Sequence, residues 1–388
     1  MNRTVDLYEA LKILNEINII RNTELINIEQ SFGKTSCKTI TSPFDLPDCN
    51  TSRMDGFAIN SSISDFSKPF DVVDEIYAGE ISSKTIKRNE AIKVATGAKL
   101  NNDIDMVVPF EYITNVNEKL FLTPQNNTYI QKKSSTIKKG DVIISTNEII
   151  DHRKIEILAT LRINCIEVYR PIKIALISTG SELTEYFAKY SQTLNSNYYM
   201  ISSFLNNFDT EITYLGIEKD DFNSIKNKIK TNLKDFDIMI TIGGTGYSKA
   251  DIIEDVINSL GGKILINGIN ASPGKTFKFA VIENKPLFII PGNPQSAIVC
   301  TELFVGFFLR GLSDKNLLIK TPVKFALNKK QDFYKVIKSI TVIENDKLVS
   351  YDLYQYNNKG FRSLTIVSKD KTKLNEGDLC DTFLLFYL

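Results

Sequence analysis

From Pro171 onward, short apolar runs alternate with stretches of helical spacing, and no other feature of the chain narrows its fold so far. IKIALIST (172–179), EITYLGI (211–217), FDIMITIG (236–243) and KILINGI (263–269) read as strands, being short, apolar and rich in isoleucine. Residues 195–207, 221–234 and 249–260 read as the helices between them. PLFIIPGNP (286–294) then leads into a further helix near 295–310. Strands that alternate with helices pack as βαβ units, with the helices covering both sheet faces. The expected fold is therefore α/β multidomain, with a central three-layer α/β domain and a mainly parallel sheet.

The rest of the chain reads differently. Residues 4–18 carry Leu7, Leu11, Ile13 and Leu14 at near-helical spacing, with Thr4 as the expected N-cap. Residues 41–150 hold short β-branched runs broken by Gly, Pro, Asn and Ser, which predicts a β-rich domain. Within it, Asp55-Gly56 and Thr96-Gly97 read as hairpin turns. A helix is expected near 151–161, a boundary at VYRPI (168–172), and a small β-barrel or sandwich from about 320.

Composition excludes several function classes. Lys+Arg number 47 against Asp+Glu 46, so no bulk field recruits nucleic acid or a membrane surface, and any anion site must be local. Five scattered cysteines without a CxxC, and a single histidine, argue against a disulfide framework and against a Cys/His zinc site. The N-terminus, MNRTVDLYEALKIL, has no signal-type apolar core, and no run is long enough to span a bilayer. The expected location is the cytoplasm.

In open parallel sheets, ligands bind beyond the carboxyl ends of the strands, near a topological switch. Three loops fall at such ends: STGSEL (178–183), IGGTG (242–246) and PGNP (291–294). Glycine lets the backbone approach an anion closely, and the following helix offers unpaired N–H groups and partial positive charge. GGTGYS lacks the third glycine of a dinucleotide fingerprint. GINASPGKT has one residue too many for a phosphate-binding P-loop, and Pro273 removes a donor from it. Lys275 reads either as a single cation aimed at an anion or as a solvated turn lysine. Glu182, Asp220, Asp221 and Asp251 gather at the same loop ends. Carboxylates beside phosphate-holding loops suit Mg²⁺, while the plain alternative is helix capping, strongest for Asp220 and Asp221.

Six separated segments together carry a resemblance. SRMDGFAI (52–59), ATGAKLNNDIDMVVPFE (95–111), ISTGSEL (177–183), GGTGYSKAD (243–251), SPGKTFKFAV (272–281) and IPGNPQSA (290–297) stand in the order and rough spacing of one family. The chain resembles the molybdopterin molybdenumtransferases, the MoeA/gephyrin E-domain family, over nearly its whole length. The resemblance implies a dimer of four-part subunits. Residues 1–40 with 140–170 would form a mixed linker and dimerisation domain, and 41–139 the β-rich domain. Residues 171–315 would form the molybdopterin-binding α/β domain, and 320–388 a C-terminal β-barrel. It implies small-molecule substrates, namely molybdate and adenylylated molybdopterin, with Mg²⁺ as cofactor, AMP released and molybdenum cofactor formed. A molybdopterin adenylyltransferase is an implied partner.

The implied site lies between subunits, so that Asp55 and Thr96 of one face Glu182 and Asp251 of the other. Glu182, Asp220 and Asp251 would serve metal and phosphate, and Lys275 the oxyanion. Asp55 would orient molybdate or water. Ser178, Thr179 and Gly180, together with Gly243, Gly244, Thr245 and Gly246, would hold the pterin and its phosphate. Pro291, Gly292, Asn293, Pro294 and Ser296 would shape the pocket. The chain departs from the family pattern at Thr136, Asn195 and Ser272, where the family usually has Asp, Asp and Lys. GGTGYSKAD also stands where the family has GGVSVGxxD. These departures keep two alternatives open: a diverged paralogue that binds molybdopterin without efficient insertion, and a molybdopterin adenylyltransferase.

Overall fold

The computed structural model describes residues 4–185, 193–244, 250–312, 318–330, 332–356 and 359–387. Its central sheet holds six strands: β1 (Ile172–Thr179), β2 (Thr210–Glu218), β3 (Ile238–Ile242), β4 (Lys263–Asn267), β5 (Lys278–Ile282) and β6 (Lys285–Ile290). Between them run α1 (Ser196–Leu205), α2 (Phe222–Asn232) and α3 (Ala250–Ser259), with α4 (Pro294–Cys300) after β6. The strand order is β2-β1-β3-β6-β5-β4, and β1, β2, β3 and β6 are mutually parallel. Only β5 is reversed, antiparallel to both β6 and β4. A two-residue turn joins β5 to β6 with Glu283 and Asn284 at φ 49° and 63°, the conformation whose twist suits a tight hairpin.

Each strand serves two cores, because successive side chains point to opposite faces. Ile174 and Leu176 of β1 pack with Ile201, Phe204 and Leu205 of α1 and with Leu7, Leu11 and Leu14 near the N-terminus. Ala175 and Ile177 face the other way, toward Ile225 and Ile229 of α2 and Ile253 and Ile257 of α3. Burying one such isoleucine or leucine contributes roughly 1.5–3 kcal/mol, so the sheet is fixed from both sides. The chain leaves β1 for β2 on one flank and returns to β3 on the other. The switch point therefore lies between the carboxyl ends of β1 and β3.

The N-terminal helix is shorter than its periodicity predicts, Leu7–Asn15, and Asp6 rather than Thr4 caps it by accepting the Tyr8 N–H at 3.0 Å. Val5 is unavailable to the helix because it pairs as a strand beside Gly268 and Asn270 (2.9 and 2.8 Å). Residues 23–41 and 142–169 come together around Ile28, Ile144, Leu158 and Val168. The C-terminal strands Leu318–Pro322, Leu379–Tyr387, Phe361–Val367, Tyr334–Glu344 and Lys347–Asp352 are antiparallel neighbours in that order. A bridge from Val323 to Ser350 brings the first of them back beside the last. Lys338 in this sheet donates to the Gln295 side chain at 2.6 Å, tying it to the start of α4. No helix among the described residues is long and apolar enough to cross a membrane.

In the β-rich part the strands run Asp71–Ile76, Glu90–Val94, Gly56–Ile59, Met106–Pro109 across one sheet. Thr96-Gly97 is a turn, with Gly97 at φ 84°. It is not the expected hairpin, since Glu90–Val94 and Met106–Pro109 on either side of it both pair with Gly56–Ile59 and not with each other. Asp55-Gly56 is not a hairpin. Gly56 opens a central strand, and a Cβ there would come within 2.2 Å of the Val108 carbonyl oxygen, which is backbone and cannot step aside. Gly56→Ala is therefore expected to destabilise this sheet by about 1–3 kcal/mol. Chemical denaturation followed by circular dichroism checks it; an unchanged midpoint would show that the contact relaxes freely.

Candidate functional site

The carboxyl ends of β1, β3 and β6 open onto a pocket of about 470 Å³. Its glycine loops lie close because nothing larger fits. Gly243, following β3, has φ +100°, and a Cβ on it would sit 2.3 Å from the Thr179 carbonyl oxygen at the end of β1. Gly244 has φ +72°, where a Cβ would meet the Thr179 hydroxyl at 3.0 Å. Gly292, beyond β6, brings its missing Cβ to 3.4 Å from the Gly243 Cα. The three loop ends are thus in near-contact, with the Gly243 N–H bonded to the Ile290 carbonyl at 2.9 Å. Asn293 caps α4 by accepting the Gln295 and Ser296 N–H groups at 3.0 and 3.3 Å, with Pro294 in the first turn.

The pocket floor is a chain of hydrogen bonds. Asn195 is 2% exposed and accepts from the Ser178 hydroxyl at 3.1 Å. Its amide donates to the Tyr214 hydroxyl at 2.7 Å, which donates to Glu185 at 2.6 Å. Burial, then the Glu185 contact, push the Tyr214 hydroxyl's pKa up, so it stays a donor. Tyr198 stacks on Tyr214 with ring centroids 4.0 Å apart. Asn197 donates to the Gly292 carbonyl at 2.7 Å and stitches the start of α1 to the third loop.

Thr179, Gly180, Glu182, Asp220, Gly243, Gly244, Pro291, Gly292, Asn293, Pro294 and Ser296 line this one pocket, so most residues singled out in the sequence converge. Glu182 stands exposed at the rim. Asp220 is not a cap: it accepts from the Ser181 N–H and hydroxyl at 3.0 and 3.3 Å, whereas Asp221 caps α2 through the Ser224 N–H at 2.8 Å. Ser178 lies behind the lining, fully buried, holding Asn195. Lys275 is exposed and outside the lining, where its neighbour Thr276 stands instead. Thr245 and Gly246 fall outside the described residues, as does the side chain of Asp251, whose backbone belongs to the first turn of α3. Sequence reasoning missed Ser181, Asn197 and Thr276, although each sits within two residues of a position it had marked. Among the described residues no group of three or more His, Cys, Asp or Glu is gathered to hold a metal.

Asp55 and Thr96 belong elsewhere in the chain. The Asp55 carboxylate accepts from the Thr96 N–H and hydroxyl at 2.7 and 2.9 Å, and these two bonds hold its pKa below the usual carboxylate range. Asp55 lines a separate cavity of about 190 Å³ with Glu75, Tyr77, Lys93 and Phe110.

A mainly parallel sheet with glycine loops at its switch point, joined to a β-rich sheet bearing a separate cavity, defines a multidomain α/β protein whose pocket suits a small ligand. Residues 5–161 match the family described as MoeA N-terminal region (domain I and II), and residues 175–311 the family described as probable molybdopterin binding domain. The chain is 31% identical over 329 residues to a Methanocaldococcus jannaschii protein named for molybdopterin biosynthesis, covering 82% of this chain and 81% of that one. It is 29% identical over 349 residues to a Staphylococcus epidermidis molybdopterin molybdenumtransferase, covering 86% and 83%. A crystal structure of a molybdopterin biosynthesis MoeA protein from Pyrococcus horikosii superposes with a TM-score of 0.81, at 25% identity and over 99% of both chains. The chain belongs to the MoeA family of molybdopterin molybdenumtransferases, which are transferases of molybdenum cofactor biosynthesis.

Gly243→Ala is expected to force the first and second loops apart and to cost about 1–3 kcal/mol of stability, from both its positive φ and its backbone clash. Thermal unfolding checks the stability, and titration with molybdopterin the pocket. Unchanged values of both would mean the loops are not held by this contact.

Proposed function

We propose that the chain transfers molybdenum from molybdate to adenylylated molybdopterin, releasing AMP and forming molybdenum cofactor. The observation that carries this reading is the pocket itself: three loops that bear family motifs meet at the switch point of a sheet in a MoeA-family chain. Molybdate's metal ends on the two sulfurs of the pterin, so the soft ligands belong to the substrate and the protein needs none. The protein's part is to hold an anionic ligand with backbone N–H groups and hydroxyls along the glycine loops and with the Ser296 hydroxyl.

The lining carries two carboxylates, Glu182 and Asp220, and among the described residues no Lys or Arg. A phosphorylated ligand would meet a net negative wall there, and hard oxygen donors of this kind fit Mg²⁺, which is usually held by one or two carboxylates with waters and substrate oxygens. Glu182 and Asp220 would hold the ion, with Ser181 orienting Asp220, and Asp251 is the third acid of this reading. Bound there, Mg²⁺ would supply charge neutralisation for the phosphoanhydride. Asp55, its carboxylate kept ionised and fixed by Thr96, would orient molybdate or water. Within one chain it lines a different cavity, so this role asks for a second copy whose Asp55 closes the pocket.

Purified protein given adenylylated molybdopterin, Mg²⁺ and molybdate is expected to release AMP in a molybdate-dependent way, and Asp220→Asn to slow that release by about 10–100-fold. Ligand binding without molybdate-dependent AMP release would replace insertion with a carrier role. ATP-dependent adenylylation of free molybdopterin would instead assign the preceding step.

A site shared between two copies makes a separate prediction. Asp55→Asn and Asp220→Asn proteins, each strongly impaired alone, are expected to regain about one quarter of wild-type activity when unfolded and refolded together, since mixed dimers carry one intact site. No recovery in dimers shown to be mixed would confine the site to one chain.

A further inference from the structure

At the opposite end of the central sheet from the pocket lies a second groove, of about 560 Å³, between the carboxyl-terminal ends of α2 and α3 and the β5–β6 turn. Lys226, Lys230 and Lys234 line it at steps of four residues, about one helical turn apart. They form a row roughly 12 Å long. Leu233 and Ile282 are buried beneath it and Leu260 is half-buried, Thr231 and Ser259 bring hydroxyls, and one carboxylate, Glu283, stands on the opposite lip.

The lysines of this row are not engaged as their neighbours are. Lys228, on the same helix, pairs with Glu218 at 2.8 Å, and Lys285 donates to the Lys234 and Phe236 carbonyls at 3.0 and 2.6 Å. Among the described residues, Lys226, Lys230 and Lys234 have no carboxylate within ion-pair reach, and Lys226 rests 5.4 Å above the Phe222 ring. In a chain whose charges nearly cancel, 47 against 46, three unpaired cations on one groove make a local field that the whole molecule lacks.

We propose that this groove is a docking site for an acidic helical segment of a partner protein. The row is too long for a single phosphate, and its spacing matches carboxylates one helical turn apart on a facing helix. Among the described residues no aromatic ring lines the groove to stack a base, which disfavours single-stranded nucleic acid. A partner bound here leaves the pocket at the other end of the sheet open.

The test is fluorescence anisotropy on the full chain. The probes are a labelled helical peptide with Glu at every fourth position, its Glu→Gln counterpart, and an oligothymidylate of equal length. The acidic peptide is expected to bind, and K226E/K230E/K234E to weaken it by about tenfold or more. A control, K87E/K119E/K347E, makes the same change in net charge at exposed lysines elsewhere and is expected to leave binding intact. Circular dichroism establishes that both variants fold, and K226Q/K230Q/K234Q replaces the reversal if it does not. Equal weakening by the control, no effect of the row, or no binding of the acidic peptide would overturn the proposal. Tighter binding of the oligothymidylate, lost with the row, would also overturn it and make the groove a nucleic-acid site.

Discussion

The contact on which the pocket depends is the approach of Gly243 to the Thr179 carbonyl. Two parallel strands, β1 and β3, end side by side, and the chain departs from them in opposite directions. For their loops to close over one ligand rather than splay apart, one loop must pass within 2.3 Å of where a Cβ would stand. Glycine at positive φ allows this, and the third loop then closes in through Gly292. The same geometry brings the ends of three loops to the edge of one shared space, so the pocket's shape follows from one steric fact.

Around that contact, the floor is kept neutral and satisfied. Asn195 is buried, yet both ends of its amide are used, by Ser178 and by Tyr214. A buried amide without partners would cost about 1–3 kcal/mol, so this arrangement fixes the floor as well as filling it. Tyr214 passes the chain outward to Glu185, so the negative charge sits at the surface end rather than in the pocket. Where the family usually has a carboxylate, this chain puts a neutral group that needs no counter-ion.

Much of this was legible in the sequence, for identifiable reasons. The α/β alternation fixes strands, helices and the faces they bury, because periodicity depends only on near neighbours. The three glycine loops were legible because turn chemistry is local too. The reversed β5 was not read, since KFAVI resembles any buried strand and only the Glu283-Asn284 turn decides its direction. The N-terminal helix starts later than its periodicity suggests because Val5 is taken by a strand partner more than 260 residues away, Ile269. Asp220 looked like a cap, and only the folded loop shows that Ser181, 39 residues earlier, holds it. Asp55-Gly56 looked like a turn because the neighbour that demands glycine, Val108, is also distant. Apart from the direction of β5, which a local turn decides, what escaped the sequence is a partner far along the chain.

The electrostatics of the pocket limit the order in which things can bind. Its lining has Glu182 and Asp220 but, among the described residues, no lysine or arginine, and Lys275 lies outside it. Backbone dipoles alone can hold one anionic group, since each N–H contributes a partial charge that does not need to be neutralised elsewhere. A second anionic group near the rim would face both carboxylates in a partly desolvated space, where repulsion is several-fold stronger than in water. On the proposed reading, a single phosphate held between the loops would need no cation, and a ligand extended toward the rim by a further phosphate would need one to offset Glu182 and Asp220.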